Sequence, residues 1–222
     1  MKELVIFDLD GTLVDLKIDK DEFEACRSSW AAYLSSRGLP TTLRPLLPEL
    51  RRLARTPLGR TMRADILRSF DALELACRYG CLGNLDALLH TCRSKFRTLV
   101  LVTHNSSALW ERLAREHTWP HLFDRVITRD EMTFFKPDPR VCEPVLRDLP
   151  PSSSPAECWV IGNSEADRGL GINLSRAYPH LVVRTIMVEP AGAASGPVST
   201  EPLHVKVNHV GVVLDLLQET SP

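Results

Sequence analysis

Short runs of consecutive apolar residues recur along the chain and predict strands that are buried on both faces. The clearest runs cover residues 4–7, 98–102 and 158–161. Unbroken runs of this kind, rich in β-branched side chains, are typical of a parallel sheet that helices cover on both sides. Weaker runs predict further strands at residues 125–128, 181–188 and 203–207.

Helical periodicity fills the intervals between these runs. Leu85, Leu88, Leu89 and Cys92 recur at the spacing that places them on one face of a helix. The same criterion predicts helices over residues 84–95, 107–117, 140–149, 165–178 and 210–218. Because strands and helices alternate from about residue 84 onward, we expect an α/β fold with a doubly wound parallel sheet.

The stretch after the first strand interrupts this alternation. Apolar residues recur at helical spacing over residues 23–33 and again over residues 66–77, and no run in this stretch predicts a strand. We therefore expect a helical domain over residues 16–82 that is inserted into an α/β core made of residues 1–15 and 83–222.

Composition is that of an ordinary globular protein, with 44% hydrophobic and 25% charged residues and a formal net charge of −1. This excludes disordered, collagen-like and coiled-coil chains. A charge balance near zero gives no global field for nucleic acid or an anionic membrane, and no apolar run approaches the ~18 residues of a membrane span. The six cysteines contain no CxxC pair, so we expect reduced thiols in a cytoplasmic protein. We also expect a monomer or a homodimer.

Polar residues follow the predicted strands at the edge where ligands bind in open α/β sheets. Asp8 and Asp10 come directly after the first strand. Gly11 allows the chain to turn, so that both carboxylates can address one centre. The ends of three later strands contribute Thr103 with His104, then Lys136, and finally Asn163, Glu165 and Asp167.

These residue types suit a phosphoryl group bound together with a divalent metal. Carboxylate and amide oxygens are ligands for Mg²⁺. A lysine ammonium, a hydroxyl and main-chain N–H groups can hold phosphate oxygens. The strand ends therefore predict a phosphate and metal site.

Taken together, the strand-end motifs resemble those of the haloacid dehalogenase superfamily. They are Asp-Leu-Asp-Gly-Thr at residues 8–12, Thr103, Lys-Pro-Asp-Pro at residues 136–139, and Gly-Asn-Ser-Glu-Ala-Asp at residues 162–167. Each motif alone is weakly specific, but four in this order are strongly so. The resemblance extends over residues 4–190, and the inserted helices are similar to the small helical cap of that family.

The resemblance implies a phosphatase mechanism and a role for each motif residue. Asp8 would attack phosphorus to form an aspartyl-phosphate. Asp10 would be the general acid and then the general base, and because the dehalogenases of the family lack this second acid, its presence favours phosphate esters. Phosphate oxygens would be bound by Gly11, Thr12, Thr103, His104 and Lys136. Mg²⁺ would be held by Asp8, Asp10, Asn163 and Asp167.

Two residues depart from the family's pattern. Asn163 stands where the family usually has Asp, and an amide oxygen can coordinate Mg²⁺ but supplies no charge. We therefore expect weaker Mg²⁺ affinity, which Glu165 or Asp167 could offset. His104 stands where the family more often has Asn or another small polar residue.

The insert carries a run of arginines over residues 51–63. A solvated helix face is the leading interpretation of such a run. Recognition of a substrate anion by Arg60 and Arg63 comes second, and nucleic acid is a distant third.

We expect a Mg²⁺-dependent phosphomonoester hydrolase that acts on a small phosphorylated metabolite. Two alternatives stay open. One is a phosphosugar mutase of the same family, and the other is a binding or regulatory protein whose catalysis Asn163 has weakened.

Overall fold

A computed structural model describes residues 2–147, 156–189, 204–207, 210, 212–213 and 216. The chain divides into a core unit, Met1–Asp15 with Tyr79–Pro222, and an insert unit, Leu16–Arg78. In chain order the elements are β1 (Lys2–Phe7), β2 (Val14–Lys17), α1 (Lys20–Ser36), α2 (Leu46–Leu53), α3 (Pro57–Ala76), β3 (Arg78–Cys81), α4 (Leu85–Lys95), β4 (Phe96–Val102), α5 (Ser107–Glu116), β5 (Arg125–Ile127), α6 (Glu143–Leu146), β6 (Ala156–Gly162), α7 (Glu165–Ala177), β7 (Leu181–Val188) and β8 (His204–Val207).

The main sheet of the core unit has the strand order β5-β4-β1-β6-β7-β8, and each neighbouring pair is parallel. β1 lies between β4 and β6, with Phe7 opposite Leu101 and Ile161. The residues that follow these three strands therefore emerge side by side. This confirms the α/β fold with a parallel sheet that the apolar runs predict.

Local capping sets where the helices of the core unit begin. The Ser106 hydroxyl accepts a hydrogen bond from the N–H of Leu109 at the start of α5. Ser164 and Asp167 form a reciprocal capping box at the start of α7. Both helices therefore begin directly after a strand-end motif, which places their N-termini at the same edge of the sheet.

The insert unit consists of α1, α2 and α3 around its own apolar cluster. Leu34, Leu50, Ile66 and Phe70 are buried in this cluster. Thr56 begins α3 by accepting a hydrogen bond from the N–H of Gly59. The periodicity that predicts helices in this stretch is confirmed, although α2 carried no separate prediction.

Two sequence predictions differ from the structure. The stretch expected to lack strands begins and ends with β2 and β3, which pair with each other as a separate two-stranded sheet. Each is four residues long, too short for a two-residue alternation to stand out. In its described part, the helix expected over residues 140–149 is a 3₁₀ turn, Pro139–Cys142, followed by the short α6, because Pro144 lacks the N–H that one continuous helix would need at that position.

The final predicted helix, residues 210–218, lies mostly outside the described residues, as do residues 148 and 149. In the part of the chain that is described, no helix has the length and apolar character needed to cross a membrane.

Candidate active site

Three charged residues that are far apart in the sequence meet at the carboxyl edge of the sheet. The ammonium Nζ of Lys136 donates hydrogen bonds to Asp8 Oδ1 and to Asp167 Oδ1, each at 2.7 Å. The side chains of Lys136, Asp8 and Asp167 are 3%, 11% and 2% exposed. One buried cation thus joins the residue after β1 to the first turn of α7.

Burial and ion pairing act in opposite directions on these charges. Burial disfavours the Lys136 cation, but Asp8 and Asp167 more than offset this and raise its pKa. Burial raises the pKa of Asp8 to about 6, with the nearby Asp167 adding to the rise and Lys136 opposing it. Burial also opposes ionisation of Asp167, yet Lys136 and Ser164 hold the pKa of that carboxyl below its ordinary value. At neutral pH all three groups are therefore predominantly charged, and Asp8 is the less stable of the two anions.

Asp167 uses both carboxylate oxygens within the protein. Its Oδ1 accepts from Lys136, while its Oδ2 accepts from the Ser164 N–H at 3.0 Å and the Ser164 hydroxyl at 2.5 Å. A Cβ on Gly162 would lie 2.3 Å from Asp167 Cγ, so only glycine fits beside this carboxyl. The Asp167 side chain is therefore fixed from several sides.

The side chain of Asn163 packs against the turn that follows β1. Gly11 has φ +74°, a conformation that favours glycine. A Cβ on Gly11 would lie 1.8 Å from Asn163 Nδ2, so the Asn163 side chain packs directly on the Gly11 backbone. Asp10 is partly exposed in the same turn. Asn163 is thus adjacent to the Asp8–Asp10 turn, although it is exposed.

Thr12 and Thr103 are both fully buried. The Thr12 hydroxyl has no hydrogen-bond partner among the described residues. The Thr103 hydroxyl donates to Asn105 Oδ1 at 2.7 Å and accepts from the Asn105 N–H at 3.1 Å. Thr103 therefore already has a partner for its proton in this structure.

His104 is neutral at physiological pH. Burial lowers the pKa of its imidazole to about 4, and the Lys136 cation adds to the effect. Its buried Nε2 has no hydrogen-bond partner among the described residues, and its ring meets Phe135 edge-on at 6.0 Å between centroids. In the ligand-free site the imidazole of His104 is therefore uncharged.

Arg60 and Arg63 lie in the first turns of α3 in the insert unit, Arg60 exposed and Arg63 partly buried. The role of Arg60 and Arg63 in substrate selection stays a prediction.

The sequence did not single out Asn105 and Arg129, whose hydrogen bonds hold the segment that contains Thr103. The Ser-x-x-Asp spacing of residues 164–167 was a visible sign of the capping box, but nothing in the sequence distinguished Arg129.

Magnesium would find few charged ligands in this turn. Among the described residues there is no group of three or more His, Cys, Asp or Glu side chains that could hold a metal ion. The turn does offer the Asp8 carboxylate, the Asp10 carbonyl and the amide oxygen of Asn163, whose side chain packs on Gly11. This donor set fits Mg²⁺, which binds through one or two carboxylates and retains waters.

Comparison with known proteins gives a family and a fold. A family model of haloacid dehalogenase-like hydrolases matches residues 2–173, whereas no curated protein sequence matches the chain. The fold is similar to that of 2-haloacid dehalogenase from Pseudomonas syringae pv. Tomato DC3000, with 18% identity, a TM-score of 0.58 and 100% of both chains covered.

Two further structures have the same fold. A variant of CbbY from Rhodobacter sphaeroides, in complex with xylulose-(1,5)bisphosphate, has 19% identity and a TM-score of 0.56, with 95% of each chain covered. A protein assigned as a phosphoglycolate phosphatase from Lactobacillus plantarum has 16% identity and a TM-score of 0.55, with 97% of this chain and 99% of that one covered. Because the similar structures include a dehalogenase and a protein assigned as a phosphatase, the fold alone does not decide the chemistry.

Proposed function

Since the chain belongs to the haloacid dehalogenase-like hydrolases, we propose that it is a Mg²⁺-dependent phosphatase that hydrolyses a small phosphomonoester through an aspartyl-phosphate. The observation that carries this proposal is the Lys136 ammonium bound to Asp8 at 2.7 Å. This contact orients the Asp8 carboxylate at the strand end, and it supports a role for the Lys136 cation in binding the phosphoryl group. The second acid, Asp10, supports phosphate esters as substrates over carbon–halogen bonds.

In the proposed reaction Asp8 is the nucleophile. Lys136 holds Asp8 Oδ1 and leaves the other carboxylate oxygen to attack phosphorus. Asp10 donates a proton to the departing alkoxide and then accepts one from the water that cleaves the aspartyl-phosphate. Splitting the hydrolysis in this way replaces one difficult step by two easier ones.

The phosphoryl oxygens would be bound by Lys136, the hydroxyls of Thr12 and Thr103, and donors of the Gly11 and His104 segments. The buried Thr12 hydroxyl has no partner among the described residues, which leaves its proton available for an anion. Mg²⁺ would be held by Asp8, the Asp10 carbonyl and Asn163, and when bound it would balance the negative charge of the phosphoryl group.

We assign Asp167 to positioning Lys136 in place of the metal coordination that the family resemblance implies. Both of its oxygens already accept hydrogen bonds from Lys136 and Ser164. Glu165, the other candidate for offsetting Asn163, is exposed and pairs with Arg168 at 3.2 Å.

Phosphate release from an aryl phosphate, with added Mg²⁺ and then with excess EDTA, tests the function. We expect turnover that depends on Mg²⁺, and a panel of phosphometabolites would then identify the preferred substrate class. Absence of Mg²⁺-dependent release from every ester of the panel would contradict the phosphatase proposal. A requirement for a catalytic bisphosphate would favour the phosphosugar mutase.

The uncharged Asn163 favours a second candidate, a binding or regulatory protein of the same fold. We expect Asn163→Asp to lower the Mg²⁺ concentration for half-maximal activity by about tenfold or more, because it restores one charge interaction of roughly one pK unit. The kcat at saturating Mg²⁺ should change less. Steady-state rates across a Mg²⁺ titration measure both quantities.

Glu165→Gln is the matched control, since it changes a neighbouring charge that pairs with Arg168, and it should leave the Mg²⁺ requirement unaltered. An unchanged requirement in Asn163→Asp would mean that Asn163 is not a metal ligand. A wild type that is inactive at any Mg²⁺ concentration, beside an active Asn163→Asp, would establish the binding protein.

Substrate choice is proposed to depend on the insert unit, through Arg60 and Arg63. We expect Arg60→Ala or Arg63→Ala to lower kcat/KM for esters with a second anionic group by about tenfold, the size of a lost charge-assisted hydrogen bond. Activity on a small aryl phosphate should stay the same. Paired kcat/KM measurements on the two ester types decide the matter, and an equal fall for both, or no change, would support a solvated arginine face.

The protein is further proposed to be cytoplasmic and to act as a monomer or homodimer without nucleic acid or a membrane as partner. All six cysteines are free thiols, which suits a reducing compartment.

A further inference from the structure

Arg129 is a buried charged residue that the proposed reaction does not use. It follows the end of β5 by two residues and is 3% exposed. Burying a guanidinium is costly unless it is well bonded. Its contacts therefore indicate what this charge does for the protein.

Arg129 binds two successive carbonyl groups of the segment that contains Thr103. We call residues 103–106 the threonine loop. The Arg129 N–H donates to the carbonyl of Asn105 at 3.1 Å, and its Nη1 donates to the carbonyl of His104 at 3.3 Å. One residue thus holds the loop through both its backbone and its side chain.

Holding these carbonyls also sets the direction of the loop's N–H groups. A trans peptide unit is planar, so its C=O and the following N–H point in opposite directions. The His104 carbonyl that Arg129 holds therefore fixes the Asn105 N–H, which donates to Thr103 Oγ1 at 3.1 Å. The Asn105 carbonyl fixes the N–H of Ser106 in the same way.

The Thr103 hydroxyl depends on this arrangement. Asn105 supplies both its donor and its acceptor partner. To bind a phosphoryl oxygen, the hydroxyl proton has to turn away from Asn105 Oδ1 while Thr103 stays in place. Because Arg129 holds two carbonyl groups of the threonine loop, the hydroxyl can turn without movement of the backbone.

We infer that Arg129 is a positioning residue that acts through the threonine loop to set the affinity of the site for the phosphoryl group. The inference rests on the proposed function, in which Thr103 binds a phosphoryl oxygen. Arg129 also contributes, after burial and Lys136, to the lowered pKa of His104. It therefore helps to keep the loop's imidazole uncharged.

Arg129→Met tests the inference, with Arg129→Lys as the conservative variant. We expect KM for an aryl phosphate and Kd for inorganic phosphate, both in Mg²⁺, to rise about tenfold in Arg129→Met, the size of a lost hydrogen bond to a charged group. The kcat should change by less than about threefold, because no reacting group is removed. Arg129→Lys should recover part of the phosphate affinity.

Arg125→Met is the matched control, since Arg125 begins the same strand but is exposed and pairs with Glu131 at 3.1 Å. It should leave KM and Kd unaltered. A fall in kcat with unchanged KM and Kd in Arg129→Met, or equal effects of Arg125→Met and Arg129→Met, would overturn the inference. If Arg129→Met does not fold, Arg129→Gln and Arg129→Lys are measured instead, and unaltered phosphate affinity in both overturns it.

A separate readout keeps this result distinct from a failure of the proposed function. Amide ¹H–¹⁵N spectra of the ligand-free protein should show shifts at residues 104–106 in Arg129→Met but not in Arg125→Met. If the wild type hydrolyses no phosphate ester, the proposed function fails, while these shifts together with weaker binding of inorganic phosphate still support the role of Arg129. Unshifted loop signals would overturn it.

Discussion

Asp8→Asn is expected to lower the rate of phosphate-ester hydrolysis by about a thousandfold or more, since an amide cannot replace the carboxylate as nucleophile. The fold should be retained. Burial raises the pKa of Asp8 to about 6, so its ionised form is unfavourable in the folded protein, and Lys136 keeps its bond to Asp167 in the variant. Phosphate release and thermal unfolding measure the two effects.

Asp19→Asn serves as the control for Asp8→Asn. Asp19 is an exposed residue that caps α1 through its side chain, and asparagine caps helices about as well as aspartate does. This variant should keep both its activity and its melting temperature. Turnover at the wild-type rate in Asp8→Asn would exclude Asp8 as the nucleophile.

Lys136→Met should affect both rate and stability. Removing the cation leaves Asp8 and Asp167 as buried carboxylates that had shared one ammonium. Breaking a buried ion pair from one side typically costs about 3–5 kcal/mol, and we expect a loss of this size in the free energy of unfolding at pH 7. The hydrolysis rate should fall by about a thousandfold, the scale on which loss of a preorganised charge lowers kcat. Denaturant unfolding and phosphate release measure the two losses.

The stability loss in Lys136→Met should shrink as the pH falls. Lys136 lowers the pKa of Asp167 and opposes the rise at Asp8, so both folded pKa values increase when it is removed. A carboxyl group whose pKa is higher in the folded than in the unfolded state destabilises the fold at pH values above its folded pKa. This destabilisation decreases as the pH falls and the carboxyl group becomes protonated. The difference in the free energy of unfolding between Lys136→Met and the wild type should therefore decrease from pH 7 to pH 5.

A double variant separates the structural from the catalytic part of this effect. Combining Lys136→Met with Asp167→Asn leaves one buried carboxylate without its cation instead of two. The double variant should therefore recover much of the lost free energy of unfolding but little of the lost hydrolysis rate. A stability difference that is the same at pH 5 and pH 7 would show that the three charges are not coupled as described.

The parallel sheet could be predicted because β1, β4 and β6 each contain an unbroken apolar run, and the ends of parallel strands share an edge. The same rule brings Asp8 near the start of α7, which carries Asp167, whereas Lys136 lies well beyond the end of β5 and its approach to both carboxylates is seen only in the structure. The separate roles of these residues could not be predicted. The hydrogen bonds of Asp167 to Lys136 and Ser164 depend on side-chain directions that the spacing of residues in the sequence does not specify.

Burial explains most of what the sequence could not predict around the site. The uncharged state of His104 depends on its desolvation and on the nearby Lys136, and neither can be read from neighbouring residues in the chain. The sequence does not distinguish Arg129 from the other arginines, and only its contacts with the threonine loop indicate a role. The adjacency of Asn163 to Gly11 likewise appears only when β1 and β6 are placed side by side.

Asp167 belongs at once to the capping box of α7 and to the ion pair of Lys136. The first turn of α7 therefore cannot fray without releasing the ammonium that orients Asp8. Opening of this helix end and loss of the assembled site become one cooperative event, so the turn and the ammonium form a single unit of local stability. Hydrogen exchange at the first amides of α7 would consequently report how often the site comes apart in the native protein, with no substrate present.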